Sequence, residues 1–410
     1  MDRLWQKLKN FYHLNQAHLA AFYFSFPARK LQIIGVTGTD GKTSSVHMIY
    51  HILSSAGIKV SMISSIEAKI GEKSYDTGFH VTTPSAWQVQ KYLKQAVEAG
   101  SKYFVLEATS HGLDQNRLAA LKFTVAVITN ITHEHLNYHK TWQRYALSKA
   151  KLLKNVGYSI LNIDDRSFVF LKNRADGKII TYSLSRNADF NLTKYPIKLK
   201  IRGDYNKSNA LAATATAVTL GVKRAVALKS LANFPGTKGR MENIDLGQDF
   251  EVFIDFAHTP NGLEQALKAL NSELLPRRQA GTSHKSQLIC VFGAAGDRDK
   301  LKRPLMGQVA DKYADIIVLT AEDPRSERVE EICQQIARGI RNKRIDNNCF
   351  VIPDRKEAIN FAIYLAQKDD IVAFFGKSHE KSMAYGNKEL PWDEFKEVEA
   401  ALRRRLNKKK

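Results

Sequence analysis

The chain has 410 residues, 44% hydrophobic and 25% charged, with 10 prolines and 23 glycines. That length points to two or three domains, and the composition excludes a largely disordered, collagenous or low-complexity chain. Lys plus Arg number 62 against 41 Asp plus Glu, a formal charge of +21, which favours polyanions (nucleic acid, an anionic membrane face, or substrates with phosphates and carboxylates) without choosing among them.

Residues 1–30 carry Leu4, Leu8, Phe11 and Tyr12 at helical spacing, then a denser apolar patch from Leu19 to Phe24, flanked by Lys7, Lys9, Arg29 and Lys30. The start is too polar, and lacks the small-residue cleavage pattern, for a signal peptide. Two readings stay open for this basic, apolar helical segment: a helix packed on the domain that follows, or a surface helix touching anionic lipid. No run of 18 apolar residues occurs, so no conventional membrane span is expected. The three cysteines, Cys290, Cys333 and Cys349, make neither a close ligand pair nor an even disulfide framework. A reduced, cytoplasmic compartment follows, with peripheral placement at the inner membrane face kept open.

From residue 31 short apolar runs alternate with helical stretches. Of the runs at 31–36, 60–64, 103–106, 124–129 and 158–163, several are rich in Val and Ile without polar alternation, as expected for strands covered on both faces. Residues 43–56 read as a helix ending near Gly57. A second set of runs lies at 251–256, 287–292, 315–320, 349–352 and 370–375, with helices at 263–270, 304–312, 328–340 and 356–368. The expected fold class is therefore α/β: a central P-loop-type ATPase domain (31–235) with a mostly parallel sheet, then a Rossmann-like α/β domain (236–410). The Gly/Pro-rich stretch "FPGTKGRM" is the expected hinge. The polar insertion "LLPRRQAGTSHKSQ" is expected to loop outside the core, and the tail "RRRLNKKK" to fray.

The strongest single signal is "IIGVTGTDGKTSS", residues 33–45. A strand enters a glycine-bearing loop that leaves through Lys42, Thr43 and a helix, so that backbone N–H groups converge on phosphate oxygens. Gly38, Thr39, Asp40, Gly41, Lys42, Thr43 and Ser44 form the expected nucleotide cradle. There Lys42 neutralises terminal phosphates and the Thr43 hydroxyl ligates a nucleotide-bound metal. The general P-loop spacing would put glycine where the chain has Val36. "HEH" at 133–135 lacks the i, i+4 histidines of a zinc hydrolase helix, and magnesium suits phosphate chemistry better.

The loop resembles that of the Mur ligases, the ATP-dependent amide-forming enzymes of bacterial cell-wall assembly. Further segments match in order: "HVTTPS" (80–85), "LEATSHGLDQNRL" (106–118), "ITNITHEHLNYH" (128–139) and "YALSKAKLL" (145–153). Then come "GDYNKSNALAA" (203–213), "GRME" (239–242), "DFAHTPNGLEQAL" (255–267), "VFGAAGDRDKLKRPLMG" (291–307), "TAEDPRSE" (320–327) and "GKSHE" (376–380). The set spans about residues 31–395 and is most similar to the branch that adds meso-diaminopimelate.

The resemblance implies ATP and two magnesium ions, with a substrate carboxylate converted to an acyl phosphate that an incoming amine then attacks. It gives Lys42 and Thr43 the phosphate and metal roles, places Glu107 at one magnesium and His135 near the second, and matches Lys149 to a lysine that becomes carbamylated. Each of these alone would read as an ordinary surface or capping group, and the ordered set carries the assignment. Asn206, Asn209 and His258 would approach the nucleotide. Thr82, Thr83, Ser110, Gln115 and Arg117 would meet a muramoyl-dipeptide-type acceptor, hydroxyls and an arginine being suited to carboxylate and amide oxygens. Arg298, Asp323, Arg325, Gly376 and Glu380 would receive the diamino acid. The planar fork of Arg325 would pair with its extra carboxylate, and Glu380 with the distal ammonium.

Two departures from the family pattern matter. Asp323 stands where asparagine is usual, so the charge of an acceptor-only carboxylate repels the substrate carboxylate unless an arginine or the substrate ammonium intervenes. The phosphate loop begins at residue 35, leaving no room for the N-terminal domain that holds UDP, so a separate UDP-binding partner or a different acceptor head is expected. Asp40, Val81, and Glu134–His135 with Asn137 are smaller substitutions that leave the charge clamp intact. The alternatives are a related ligase with another acceptor or amino acid, and an ATP-binding regulatory or scaffold subunit. No nucleic-acid partner is expected, because no aromatic-basic platform or recognition helix accompanies the charge. The expected assembly is a monomer or weak oligomer.

Overall fold

The computed structural model describes residues 2–76, 83–279 and 286–408. They fall into two compact units: Met1–Thr132 with His139–Pro235, and His133–Tyr138 with Gly236–Lys410.

The first unit is built on a sheet of β1 (Gln32–Thr37), β2 (Val60–Ile63), β3 (Glu67–Ile70), β4 (Lys73–Asp76), β5 (Tyr103–Glu107), β6 (Phe123–Ile128), β7 (Tyr158–Asn162), β8 (Lys178–Ser183) and β9 (Phe190–Asn191). Their order is β4-β3-β2-β5-β1-β6-β7-β8-β9. From β2 to β9 neighbours run parallel, and β3 and β4 are added antiparallel. The central strands lack polar alternation because both faces are covered. Ile34, Val36, Val105, Val125 and Val127 pack with helices Lys42–Ser55 and Asp204–Thr219. The alternate residues Ile33, Phe104, Leu106, Ala126 and Ile128 pack with Leu93 and Ala96 of helix Ala86–Glu98. Each such large apolar side chain contributes roughly 1.5–3 kcal/mol when buried.

Helix Ala86–Glu98 begins at a capping box: Ser85 accepts from the Gln88 N–H while the Gln88 side chain accepts from the Ser85 N–H. The N-terminal helix Asp2–Tyr23 packs against it through Ala17, Ala20 and Ala21. Register places Val36 beside Glu107 and Thr37 beside Ile128. The carboxyl ends of β5, β1 and β6 thus lie side by side, at the edge where open parallel sheets bind ligands.

The second unit holds β10 (Glu242–Asn243), β11 (Glu251–Asp255), β12 (Leu288–Phe292), β13 (Ile316–Leu319), β14 (Cys349–Val351) and β15 (Ile371–Phe375) in the order β10-β11-β15-β12-β13-β14. All pairs are parallel except β10 with β11. A separate hairpin joins β16 (Ser382–Tyr385) to β17 (Lys388–Pro391). Val252, Ile254, Val291 and Phe374 pack with Ala358, Ile359 and Ala362 of helix Arg355–Leu365 and with Val398 and Leu402 of helix Glu394–Lys408. The three cysteines are reduced and buried.

Two expectations are corrected. The polar insertion is helical in its first part, because helix Pro260–Gln279 continues through it. Leu263, Leu267, Leu270 and Leu274 keep one face of that helix buried. Pro276 removes one hydrogen bond near its end, while Arg277 and Arg278 are fastened to Glu251 and Asp315. Residues 280–285 of the insertion lie outside the described residues. The basic tail does not fray before Lys408. Leu402 is fully buried, and Arg405 donates to the carbonyls of Ile363, Tyr364 and Ala366 with its guanidinium 4.6 Å over the Phe250 ring.

Candidate functional site

In the first unit the phosphate-loop sequence runs from the end of β1 into helix Lys42–Ser55, whose N-cap is Gly41 at φ 80°. Only glycine adopts that conformation without strain, and a Cβ there would collide with the Asn209 side chain. A Cβ on Gly38 would likewise strike Thr129 Oγ1. The residues after β6 clamp the loop. Asn130 O accepts from Thr39 N at 2.8 Å, Asn130 Oδ1 from Asp40 N at 3.0 Å, and Thr129 Oγ1 donates to Asp40 O at 2.6 Å. Thr39 Oγ1 accepts from Thr132 N at 2.9 Å and meets the Tyr145 hydroxyl at 3.1 Å.

Two ammonium groups bear on this loop: Lys42 Nζ donates to Thr39 O at 2.6 Å, and the buried Lys149 Nζ donates to Gly38 O at 2.6 Å. At the end of β5 the buried Glu107 Oε2 accepts from Thr43 Oγ1 at 3.0 Å and from Ser65 N at 2.9 Å, and Ser65 Oγ lies 3.0 Å from Thr43 Oγ1. Lys42, Thr43, Glu107 and Lys149 are thereby brought to one loop and one sheet edge. Hydroxyl and carboxylate oxygens are the donors magnesium takes. Ser44 is buried in the first turn of the helix. Asn206, also buried, donates to Arg202 O at 2.6 Å.

The residues assigned to an acceptor form a neighbouring group. Thr83 Oγ1 accepts from Thr109 N at 2.9 Å. Arg117 donates to Thr83 O at 3.1 Å and to Gln115 Oε1 at 2.5 Å, and Ser110 is buried in the short helix Ser110–Asp114. Thr82 lies outside the described residues.

His135 (φ 57°) belongs to the segment His133–Tyr138 of the second unit, with Nδ1 3.9 Å from Glu134. His133 Nε2 lies 3.2 Å from Asp299, a contact that raises the imidazole above its ordinary pKa, while Lys302 pairs with Glu134 at 3.2 Å. His139 is in the first unit, where burial and then His111 depress it to about 4. Among the described residues, no three His, Cys, Asp or Glu side chains gather as a metal site. His258 follows β11, its Nδ1 2.9 Å from Phe256 O and its carbonyl accepting from Lys302 at 2.8 Å.

The residues assigned to the amino acid lie around the ends of β12, β13 and β15. Asp323 (φ 44°) and Arg325 (φ 54°) are both in the left-handed region. Asp323 Oδ1 accepts from Lys377 Nζ at 2.8 Å and from Ala384 N at 3.0 Å, and Lys377 Nζ also donates to Glu380 Oε2 at 2.6 Å. The cation beside Asp323 is thus neither an arginine nor a substrate ammonium but the fully buried Lys377. Neither Arg298 nor Arg325 has a hydrogen-bond or ion-pair partner for its guanidinium among the described residues. Partial desolvation and then the charge of Arg325 lower the Arg298 pKa. Gly376 (φ 102°) approaches so closely that a Cβ would strike Glu322, whose carboxyl is pushed by burial up to about 8.

Sequence reasoning missed Ser65, Lys377 and Glu322. Lys377 stood inside the quoted "GKSHE", and the spare negative charge of Asp323 with Glu380 was the signal that could have found it.

The pattern of the Mur ligase middle domain matches residues 36–217, and that of the Mur ligase glutamate ligase domain matches residues 239–378. The chain belongs to the Mur ligase family. As a Mur ligase it is an ATP-dependent ligase of cell-wall precursor assembly. It is 38% identical over 407 residues to the UDP-N-acetylmuramoyl-L-alanyl-D-glutamate–2,6-diaminopimelate ligase of Caldanaerobacter subterraneus subsp. tengcongensis, covering 94% of this chain and 81% of that one. It is 36% identical over 423 residues to the UDP-N-acetylmuramyl-tripeptide synthetase of Roseiflexus sp., with the same coverage. A solved UDP-N-acetylmuramoyl-L-alanyl-D-glutamate–2,6-diaminopimelate ligase superposes with a TM-score of 0.58 at 32% identity, covering 92% of this chain and 79% of that one. A folylpolyglutamate synthase from Mycobacterium tuberculosis reaches 0.67 at 17% identity, covering 90% and 93%, and shows the α/β fold alone.

Proposed function

We propose that this Mur ligase activates the carboxylate of a muramoyl-dipeptide-type acceptor as an acyl phosphate and joins it to a diamino acid, meso-diaminopimelate first. The observation that carries the reading is the convergence of Lys42, Thr43 and Glu107 where β1 and β5 end, with Lys149 on the same loop. Phosphoryl transfer to a carboxylate brings anions together, and a preorganised cationic cradle lowers that barrier. Loop N–H groups and Lys42 hold the phosphates, and Asn206 and Asn209 flank the nucleotide, with His258 assigned to the same role. Thr43 and Glu107 would hold one magnesium and His135 would serve a second; bound magnesium neutralises charge on the transferring phosphate.

Carbamylation would turn Lys149 into an anionic oxygen donor while its remaining N–H still reaches Gly38 O. A carbamate signal from labelled bicarbonate, absent in Lys149→Arg, would test this. Thr82, Thr83, Ser110, Gln115 and Arg117 orient the acceptor. Arg298 and Arg325 offer free guanidinium forks to the amino acid's carboxylates, and Glu380 meets its distal ammonium beside Gly376.

The deciding experiment combines purified protein, ATP and magnesium with candidate muramoyl acceptors and diamino acids, read by product mass and released phosphate. Diaminopimelate product is expected. Product only with another diamino acid selects the second reading. ATP binding without any product would leave a scaffold subunit.

A further inference from the structure

The N-terminal helix is built inside out. Its packed side carries Ala17, Ala20 and Ala21, whereas Leu8, Phe11, Tyr12, Leu19 and Phe22 follow the spacing of one helical face and are each 53–71% exposed. The row continues beyond the helix. Phe22 meets Phe26 edge-on at 6.2 Å, the Arg29 guanidinium lies 4.2 Å over Phe26, and the exposed Tyr23 meets the partly exposed Trp87 at 5.5 Å. A contiguous exposed aromatic row marks an interaction surface.

After its first residue, the charge along this segment has one sign. Between Asp2 and Asp40 the sequence has no acidic residue and five cations, Arg3, Lys7, Lys9, Arg29 and Lys30. Lys9, Arg29 and Lys30 are exposed. A second copy docked on this face would bring like charges together, whereas an anionic lipid surface complements them.

We infer that this helix is a surface anchor for an anionic bilayer. Its Leu and aromatic side chains enter the boundary between headgroups and acyl chains, and Lys9, Arg29 and Lys30 meet lipid phosphates. It lies on the membrane rather than through it, since no helix among the described residues is long and apolar enough to cross one. The inference stands apart from the ligase chemistry.

The test is flotation of the intact protein with vesicles of phosphatidylcholine alone and of phosphatidylcholine mixed with phosphatidylglycerol. Binding to the mixed vesicles, weakening with salt, is expected. Phe11→Ser with Phe22→Ser should lower partitioning at least ~tenfold, and Arg29→Gln with Lys30→Gln about tenfold, with circular dichroism and phosphate release in solution unchanged. No flotation with either vesicle, or undiminished flotation of the Phe11/Phe22 variant, overturns the inference. So does light scattering that finds a dimer split by the Phe substitutions without vesicle binding, which makes the face a contact between copies.

Discussion

Lys377 is a buried ammonium shared by two carboxylates, Asp323 and Glu380. That ammonium offsets part of the negative charge at Asp323, and in the proposed reading Arg298 and Arg325 receive the incoming carboxylates. Removing one fork should therefore act on the amino acid and not on the nucleotide. Arg325→Ala is expected to raise the diamino-acid KM ~10–100-fold, the loss of a charge-assisted pair, while the ATP KM stays nearly unchanged. Phosphate-release kinetics check it, and equal losses for both substrates would reject the assignment. Glu322 gives a pH signature. Its folded pKa of about 8 lies above the ordinary value of 4.5, so the folded state binds the extra proton and stability falls as pH rises from 4.5 to 8. Glu322→Gln should raise denaturant stability by about 4 kcal/mol at pH 8 and leave it unchanged at pH 4. Neither Lys377 nor Glu322 was legible as a site residue, because a lysine and a glutamate in isolation read as solvated until burial is known.

Among the elements, the central strands were legible and the edges were not. β1 and β6 are Val/Ile-rich and β5 is the apolar run Tyr-Phe-Val-Leu, and burial on both faces is the reason for that pattern. β3 and β4 are four residues each and carry Glu67, Lys69, Lys73 and Asp76, so solvent-facing charge hides their hairpin. The tail misled for a related reason: three consecutive arginines look frayed, yet Leu402 just before them is fully buried and Arg405 is tied to the carbonyls of Ile363, Tyr364 and Ala366. Leu402→Ala should cost about 2–5 kcal/mol, seen as a lower denaturant midpoint with unchanged slope. A neutral result would return the helix to a decorative role.

For the whole molecule, the ordered motifs pointed to the family. They could not place residues 133–138, which group with the second unit although the sequence on both sides belongs to the first. The Thr43–Ser65–Glu107 group is already closed by the protein's own hydrogen bonds. Chelation with EDTA should accordingly stop phosphate release while leaving the thermal midpoint unmoved, and a large drop in that midpoint would mean the metal is structural.

Every thiol of the chain sits in one half of it. Cys290 lies in the middle of a sheet, Cys333 on a helix and Cys349 on an edge strand, and burial lifts Cys333 to about 12 and Cys349 to about 11. In the native protein these sulfurs are shielded from alkylating reagents, so each reacts only when its own element opens. Maleimide incorporation, followed by mass, becomes a built-in clock for the C-terminal unit alone, with the edge strand expected to tick before the central one.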